Sequence, residues 1–314
     1  MKRFALASLA LGITMLLSAG HLAAQTPVET NQNTANMLVT VMAQHGNNPP
    51  TIGADDVMVY EGKVRDKVVD WVPAQGQHAS LQLFVLIDDS SNISLGSQLD
   101  DIRQFILAQP PSTLVGIAYM QNGVAQIAQN LTVDHDQAAK ALRLPLGIRG
   151  ANASPYFSLS DLAKRWPAAN NDRREIILVS DGIDWYYGSY DLLDPYLSAA
   201  IDDLQKANIV TYTIYTPGVG HYSHNYWSTY WGQLYMARVA EETGGESYYT
   251  GMVGAPVSYV PYLDDITQHL GHQYLLSFLP KPQKKTGLQP VRLMTEVPNA
   301  DLASANRVLV QGTP

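Results

Sequence analysis

The stretch Leu81-Gln82-Leu83-Phe84-Val85-Leu86-Ile87-Asp88-Asp89-Ser90-Ser91-Asn92 decides the reading of this chain. The continuous apolar run within it, Leu83 to Ile87, reads as a strand buried on both faces, as a central strand of a parallel sheet is. It ends abruptly in carboxylate, hydroxyl and amide side chains. A second segment repeats the pattern: Glu175-Ile176-Ile177-Leu178-Val179-Ser180 runs into Asp181-Gly182-Ile183-Asp184. Further strands are predicted over Leu114 to Met120, Val124 to Gln129, Ile209 to Tyr215 and Glu246 to Tyr249. Helix-length amphipathic segments lie between them, from Leu95 to Ala108, Asp134 to Leu142, Phe157 to Trp166, Leu193 to Ala207, Thr229 to Thr243 and Tyr259 to Leu270. The alternation predicts an α/β domain: a doubly wound, mostly parallel sheet with helices on both faces. Asn122-Gly123 predicts a tight hairpin, which makes the Val124 strand antiparallel and an edge. Asn208 and Gly244-Gly245 stand where helices end.

Outward from this domain, which spans residues 81–271, the pattern changes. Val57 to Val64 and Asp66 to Val72 form a β-hairpin signal around Gly62, giving an N-terminal flank at 51–80. Residues 272–314 hold strand-like runs at Tyr274 to Phe278, Val291 to Val297 and Arg307 to Val310. Both flanks are too short to bury a core alone, so they are expected to pair in a small β module built from the two termini. Residues 25–50, rich in Asn, Gln, Thr and Pro, read as a flexible tether. At the start, Lys2 and Arg3 precede the apolar run Phe4 to Leu17 and then Leu22-Ala23-Ala24. That is the pattern of a signal peptide cleaved after Ala24; its apolar run is shorter than the ~20 residues of a membrane span, so a secreted or periplasmic location is expected.

Composition narrows the chemistry. The 314 residues carry 20 Lys and Arg against 28 Asp and Glu, a net charge of -8. Loss of the leader removes two cations and leaves -10. No basic field is available to gather nucleic acid or an anionic membrane. Cysteine is absent, which excludes disulfides, thiolate metal centres and a cysteine nucleophile. Any metal must be held by oxygen or imidazole. No Gly-x-Ser-x-Gly, Gly-x-x-x-x-Gly-Lys, His-Glu-x-x-His or Gly-x-Gly-x-x-Gly motif occurs in a suitable context, so no enzyme activity is expected.

Ligands of open α/β sheets bind beyond the carboxyl ends of the strands. Asp88 and Asp181, with neighbouring hydroxyls, arrive there from two buried strands. Hard oxygen donors of this kind suit Mg²⁺, with Mn²⁺ or Ca²⁺ as alternatives. At this point the chain resembles the von Willebrand factor type A (VWA) domain, in the form found in bacterial secreted VWA-related proteins. The resemblance rests on Asp88-x-Ser90-x-Asn92 and Ser180-Asp181-Gly182 and covers roughly Leu81 to Leu270. It implies a metal-ion-dependent adhesion site formed by Asp88, Ser90, Asn92, Ser154 and Asp181, with Asn92 in place of a serine and Ser154 in place of a threonine. It also implies a binding or adhesion module whose cation is completed by a carboxylate of a protein partner or acidic ligand. Two rival readings accompany it: a metal-free structural module in the cell envelope, and a metal-dependent hydrolase. The residues also admit a turn-and-cap role for Asp88 to Asn92.

Two aromatic segments follow strand ends on the same rim. Trp185, Tyr186 and Tyr187 form one; His221, Tyr222, His224, Tyr226 and Trp227 form the other. Their rigid amphipathic side chains are expected to form a ligand-binding wall, or else a lid packed on itself. The pairs His221/His224 and His269/His272 lack accompanying ligands and are read as polar or hydrogen-bonded histidines.

Overall fold

The computed structural model describes residues 34–46, 48–167, 172–187, 191, 193–219, 226–249 and 258–312, all of them within one compact unit, Asn33–Pro314. In chain order the strands are β1 (Ala35–Ala43), β2 (Met58–Glu61), β3 (Val64–Pro73), β4 (Leu81–Asp88), β5 (Thr113–Gln121), β6 (Val124–Thr132), β7 (Arg173–Ser180), β8 (Ile209–Tyr215), β9 (Ser247–Tyr248), β10 (Gln273–Leu279), β11 (Gly287–Pro290), β12 (Arg292–Met294), β13 (Ala300–Ser304) and β14 (Arg307–Val310). The helices are α1 (Leu99–Leu107), α2 (His135–Lys140), α3 (Pro155–Lys164), α4 (Pro195–Lys206), α5 (Tyr226–Thr243) and α6 (Val260–Gly271). The architecture is mixed α/β.

One sheet has the order β6-β5-β4-β7-β8-β9. Every residue of β4 is buried, and the strand pairs in parallel with β5 on one side and β7 on the other. The chain continues outward through parallel β8 and β9. At the opposite edge β6 returns antiparallel through Asn122 and Gly123, whose φ values of 50° and 74° satisfy a tight hairpin turn. Successive side chains of β4 point to opposite faces. Leu83, Val85 and Ile87 join a core with α1, α2 and α6, whereas Phe84 and Leu86 join one with α3, α4 and α5. Asn208 and Gly244 both adopt positive φ just after helix ends, as their sequence positions require.

The second six-stranded sheet has the order β12-β2-β3-β10-β1-β13, and all its pairings are antiparallel. The flanking β structure is therefore as large, in strands, as the α/β sheet, and the chain as a whole is not mostly parallel. The main correction is β1. Residues expected to be a tether form an interior strand next to the sheet edge, paired with β10 on one side and β13 on the other. Its run Met37-Leu38-Val39-Thr40-Val41 is buried. The polar residues around that run masked it, and its partners lie more than 230 residues away, so no local signal announces the pairing. A third cluster, including Met37, Val39, Val41, Val59, Leu276, Phe278, Val308 and Val310, closes the apolar side of this sheet. The expected leader, residues 1–24, lies outside the described residues.

Candidate functional site

Strand register brings the two aspartate motifs together. Ile87 of β4 lies beside Val179 of β7, so Asp88 and Ser180 end adjacent strands. Asp88 is completely buried and accepts four hydrogen bonds. Its Oδ1 receives the Ser90 amide at 2.8 Å and the Ser90 hydroxyl at 2.7 Å. Its Oδ2 receives the Asn152 amide at 2.9 Å and the Ser180 hydroxyl at 2.7 Å. Burial raises the Asp88 carboxyl above its ordinary value, and these donors oppose that rise.

Asp181 is held differently. After β7 the chain turns at Gly182, φ 69°, and packs backbone to backbone on α5: a Cβ at Gly182 would lie 2.3 Å from the Gly232 carbonyl oxygen. A Cβ at Gly232 would lie 2.1 Å from the Asp181 carbonyl oxygen. Only a glycine pair allows this approach. Asp181 Oδ1 receives the Ile183 amide at 2.9 Å, while Oδ2 is buried without a hydrogen-bond partner. Burial pushes this carboxyl well above its ordinary value, and the Asp88 charge adds to the shift. The loop after β8 lies over it. A Cβ at Gly218 would come within 2.1 Å of Asp181 Oδ2. That loop is fastened to the one after β4 by Val219 donating to the Ser90 carbonyl, Asn92 donating to the Pro217 carbonyl, and a bridge between Ser91 and Gly218.

Of the five residues that the resemblance marks as ligands, three gather directly: Asp88, Ser90 and Asp181. Ser154, at the start of α3, donates its hydroxyl at 2.8 Å to Asp184, which itself accepts the amides of Tyr186 and Tyr187. Asn92 departs from the expected role. Its Oδ1 accepts the Ser94 amide at 2.9 Å and caps the short helical turn Ile93–Ser97, because the longer amide side chain reaches back to its own backbone. Asn152, not marked by the motif, touches Asp88, and its Oδ1 is buried without a partner. A left-handed Ala153, φ 62°, separates Asn152 from Ser154 in a sharp turn at the site. Ser180 and Asp184 stood in the quoted motif but acquire roles only through register. The Ser91 hydroxyl is also buried and unpartnered.

Among the described residues no group of three or more His, Asp or Glu is arranged to hold a metal. A cation here would therefore rest on two carboxylates, hydroxyl and amide oxygens, and water. The donor chemistry fits such an ion. The hydroxyl proton of Ser90 is directed at Asp88 and that of Ser154 at Asp184, which leaves their oxygen lone pairs available, whereas the Ser180 hydroxyl donates to Asp88 and accepts the Gly182 amide at 3.1 Å.

On the rim, Tyr186 is 63% exposed and meets Phe157 edge-on at 5.1 Å and Tyr196 at 5.5 Å. Tyr187 also packs against Tyr196. The Arg149 guanidinium lies 4.6 Å from the centre of the Trp185 ring. His221, Tyr222 and His224 lie outside the described residues; Tyr226 and Trp227 open α5, and their side chains lie outside them too. His272 is hydrogen-bonded through Nδ1 to the Gln268 carbonyl, and His269 stacks on Tyr212.

Counted within the α/β domain, the strands lie in the order third, second, first, fourth, fifth, sixth, with the aspartate motifs on the central first and fourth. The solved structures to which the chain is similar include a VWA domain. No family model and no curated protein matches the chain. Among solved structures, an aerotolerance-related membrane protein from Bacteroides fragilis is 13% identical, with a TM-score of 0.44 over 61% of this chain and 98% of that one. BatB from Bacteroides thetaiotaomicron is 13% identical, with a TM-score of 0.42 over 60% and 98%. Proximal thread matrix protein 1 of the mussel byssus, described with a zinc-occupied MIDAS motif, is 13% identical, with a TM-score of 0.45 over 67% and 49%. At these identities and scores no residue role is carried over to this chain. No helix among the described residues is long and apolar enough to cross a membrane.

Proposed function

We propose that this chain is an exported, non-enzymatic VWA-like interaction module, a doubly wound domain that engages a protein partner at the carboxyl edge of its sheet. The observation that carries this reading is the buried, unpartnered Oδ2 of Asp181 beside the fully hydrogen-bonded Asp88. A lone carboxylate oxygen in such a place is costly unless protonated or paired with a cation. Asp88, Ser90, Ser154 and Asp181, with Asn152 in the place expected of Asn92, would hold Mg²⁺, Mn²⁺ or Ca²⁺, partly through water. When bound, the ion would offer a position to a carboxylate of the partner. The protein's own groups do the rest: Asp88 orients the hydroxyls, Asp184 orients Ser154, and the glycine pair fixes Asp181.

A second reading, a metal-free assembly module of the same fold, is favoured by the capping role of Asn92 and by the close approach of Gly218 to Asp181. Calorimetric titration of Mg²⁺ and Mn²⁺ into the protein, beside Asp88→Ala and Asp181→Ala, separates the two. Binding in the wild type that both substitutions abolish, with far-UV circular dichroism unchanged, supports the cation site. No heat at millimolar ion leaves the metal-free module. Binding indifferent to both substitutions refutes the assignment of these residues.

A further inference from the structure

Asp89 occupies the unassigned position between Asp88 and Ser90, yet it is as buried as either. Its carboxylate receives a two-pronged pair from Arg143 at 2.6 and 2.7 Å, the Gln121 amide at 2.6 Å and the Leu146 backbone amide at 3.2 Å. Its carbonyl receives the Gly147 amide at 3.1 Å. Arg143 is fixed again by Tyr119, whose ring lies 3.7 Å beneath the guanidinium and whose hydroxyl bonds both the amide and the carbonyl of Arg143. The loop from Leu142 to Gly150 is thus tied to the very turn that carries the aspartate motif.

That loop presents aliphatic side chains to solvent. Leu144 is 51% exposed, Leu146 50% and Ile148 58%, and Ile93, just beyond the motif, is 61% exposed. The two segments interlock through glycines. The Leu144 side chain lies against Gly96, where a Cβ would be 2.7 Å from Leu144 Cδ2. Ile93 lies against Gly147, φ 66°, where a Cβ would be 2.9 Å from Ile93 Cγ2. Four exposed large aliphatics on two fastened loops are unusual on a soluble surface and mark a contact face. A fastened contact face also loses little conformational entropy on binding.

Charge indicates the partner. Residues 142–150 contain two arginines and no acid, in a chain of net charge -8. Asp89 neutralises Arg143, which leaves the exposed Arg149, backed by the Trp185 ring, as the cation at the end of the ridge. One such cation on an acidic protein is a poor match for an anionic membrane but a good one for a single carboxylate.

We propose that Ile93, Leu144, Leu146 and Ile148, with Arg149, form a preorganised docking ridge for a protein segment that carries an acidic side chain among aliphatic ones. The ridge extends the interaction site proposed above, and only the contribution of the bound cation to carboxylate recognition rests on that reading.

The probe is an array of synthetic twelve-residue peptides with two aliphatic residues spaced two to four positions from one Asp, beside copies with Asn or Lys for the Asp and Ser for the aliphatics. Labelled full-length protein is applied in MgCl₂ and in EDTA. Retention on the aliphatic-Asp set, lowered about tenfold by Leu146→Asp or Ile148→Asp and shifted toward indifference between Asp and Asn by Arg149→Glu, is the expected result. If the cation reading alone fails, EDTA and Asp181→Ala leave retention unchanged while the ridge variants still reduce it. Equal retention of wild type and ridge variants overturns the proposal, as does absence of retention of any aliphatic-Asp peptide by the wild type. Two other results also overturn it: ridge-dependent binding to phosphatidylglycerol vesicles in place of the peptides, and a dimer in sedimentation that Leu146→Asp converts to monomer. Thermal melts of Leu146→Asp and Ile148→Asp confirm that the folded protein is being tested.

Discussion

Gly218→Ala tests the geometry above Asp181 most directly. The added methyl carbon would lie 2.1 Å from Asp181 Oδ2 and 3.1 Å from its carboxyl carbon. Contacts below 3.0 Å essentially do not occur for a Cβ, so something must move by about 1 Å. If the carboxyl group moves, it strains or breaks the 2.9 Å bond from the Ile183 amide, worth about 0.5–1.5 kcal/mol to a neutral carboxyl and about 1.5–3 kcal/mol to an ionised one. If the loop moves, it strains the Val219–Ser90 and Asn92–Pro217 backbone bonds, each worth about 0.5–1.5 kcal/mol. Either route costs about 1–3 kcal/mol, the range for overpacking a close-packed site. Urea denaturation of wild type and variant reads this as a lowered midpoint at constant slope. Gly271→Ala is the control: a Cβ there meets nothing within 4 Å, and alanine at that α6 position is expected to stabilise by about 0.4–1 kcal/mol. A Gly218→Ala midpoint within error of wild type would refute the close approach and, with it, the description of Asp181 as covered by this loop.

Other outcomes follow from named contacts. Glu175 is fully buried, and burial, partly opposed by Arg173, Gln273 and Tyr212, lifts its pKa from 4.5 to about 7. The unfolded chain therefore loses this proton first, so the carboxyl lowers stability progressively between about pH 4.5 and 7, by about 3 kcal/mol in all. Glu175→Gln is expected to match wild type near pH 4.5 and to exceed it by about that amount at pH 8; parallel pH profiles in urea melts would refute this. Asn92→Ala is expected to lower stability by about 1 kcal/mol through loss of the Ser94 cap while leaving calorimetric Mg²⁺ affinity unchanged. A tenfold fall in affinity at unchanged stability would return Asn92 to the ligand set.

The legible parts of this protein were those governed by neighbours in sequence. The Leu83 to Ile87 run is apolar on both faces because β4 is covered on both, and the Asn122-Gly123 turn, the helix ends at Asn208 and Gly244 and the acidic strand ends needed no tertiary information. Asp88, Ser90 and Asp181 could be marked because strand ends in such a sheet converge. For Asn92 the sequence left both a ligand and a capping role open, and the Ser94 amide two residues on is where its side chain is bonded in the structure. Asn152 carried no signal of its own, and Ser180 stood in the motif without a role, since an amide or hydroxyl is ordinary until strand register sets it against Asp88. Asp89 looked incidental for the same reason: Arg143 lies 54 residues on, and only the closed loop makes the pair.

The amino-acid sequence by itself determined the exclusion of thiolate chemistry, the acidic surface, the alternation of buried strands with helices, and the two aspartates at strand ends, because each follows from composition or short-range periodicity. Only the tertiary structure decided that residues 35–43 are a strand rather than a tether, that Gly218 covers Asp181, and that an arginine and a buried aspartate hold an aliphatic ridge beside the site. Those features depend on pairings between distant segments, whose gain is realised only when the whole sheet has formed.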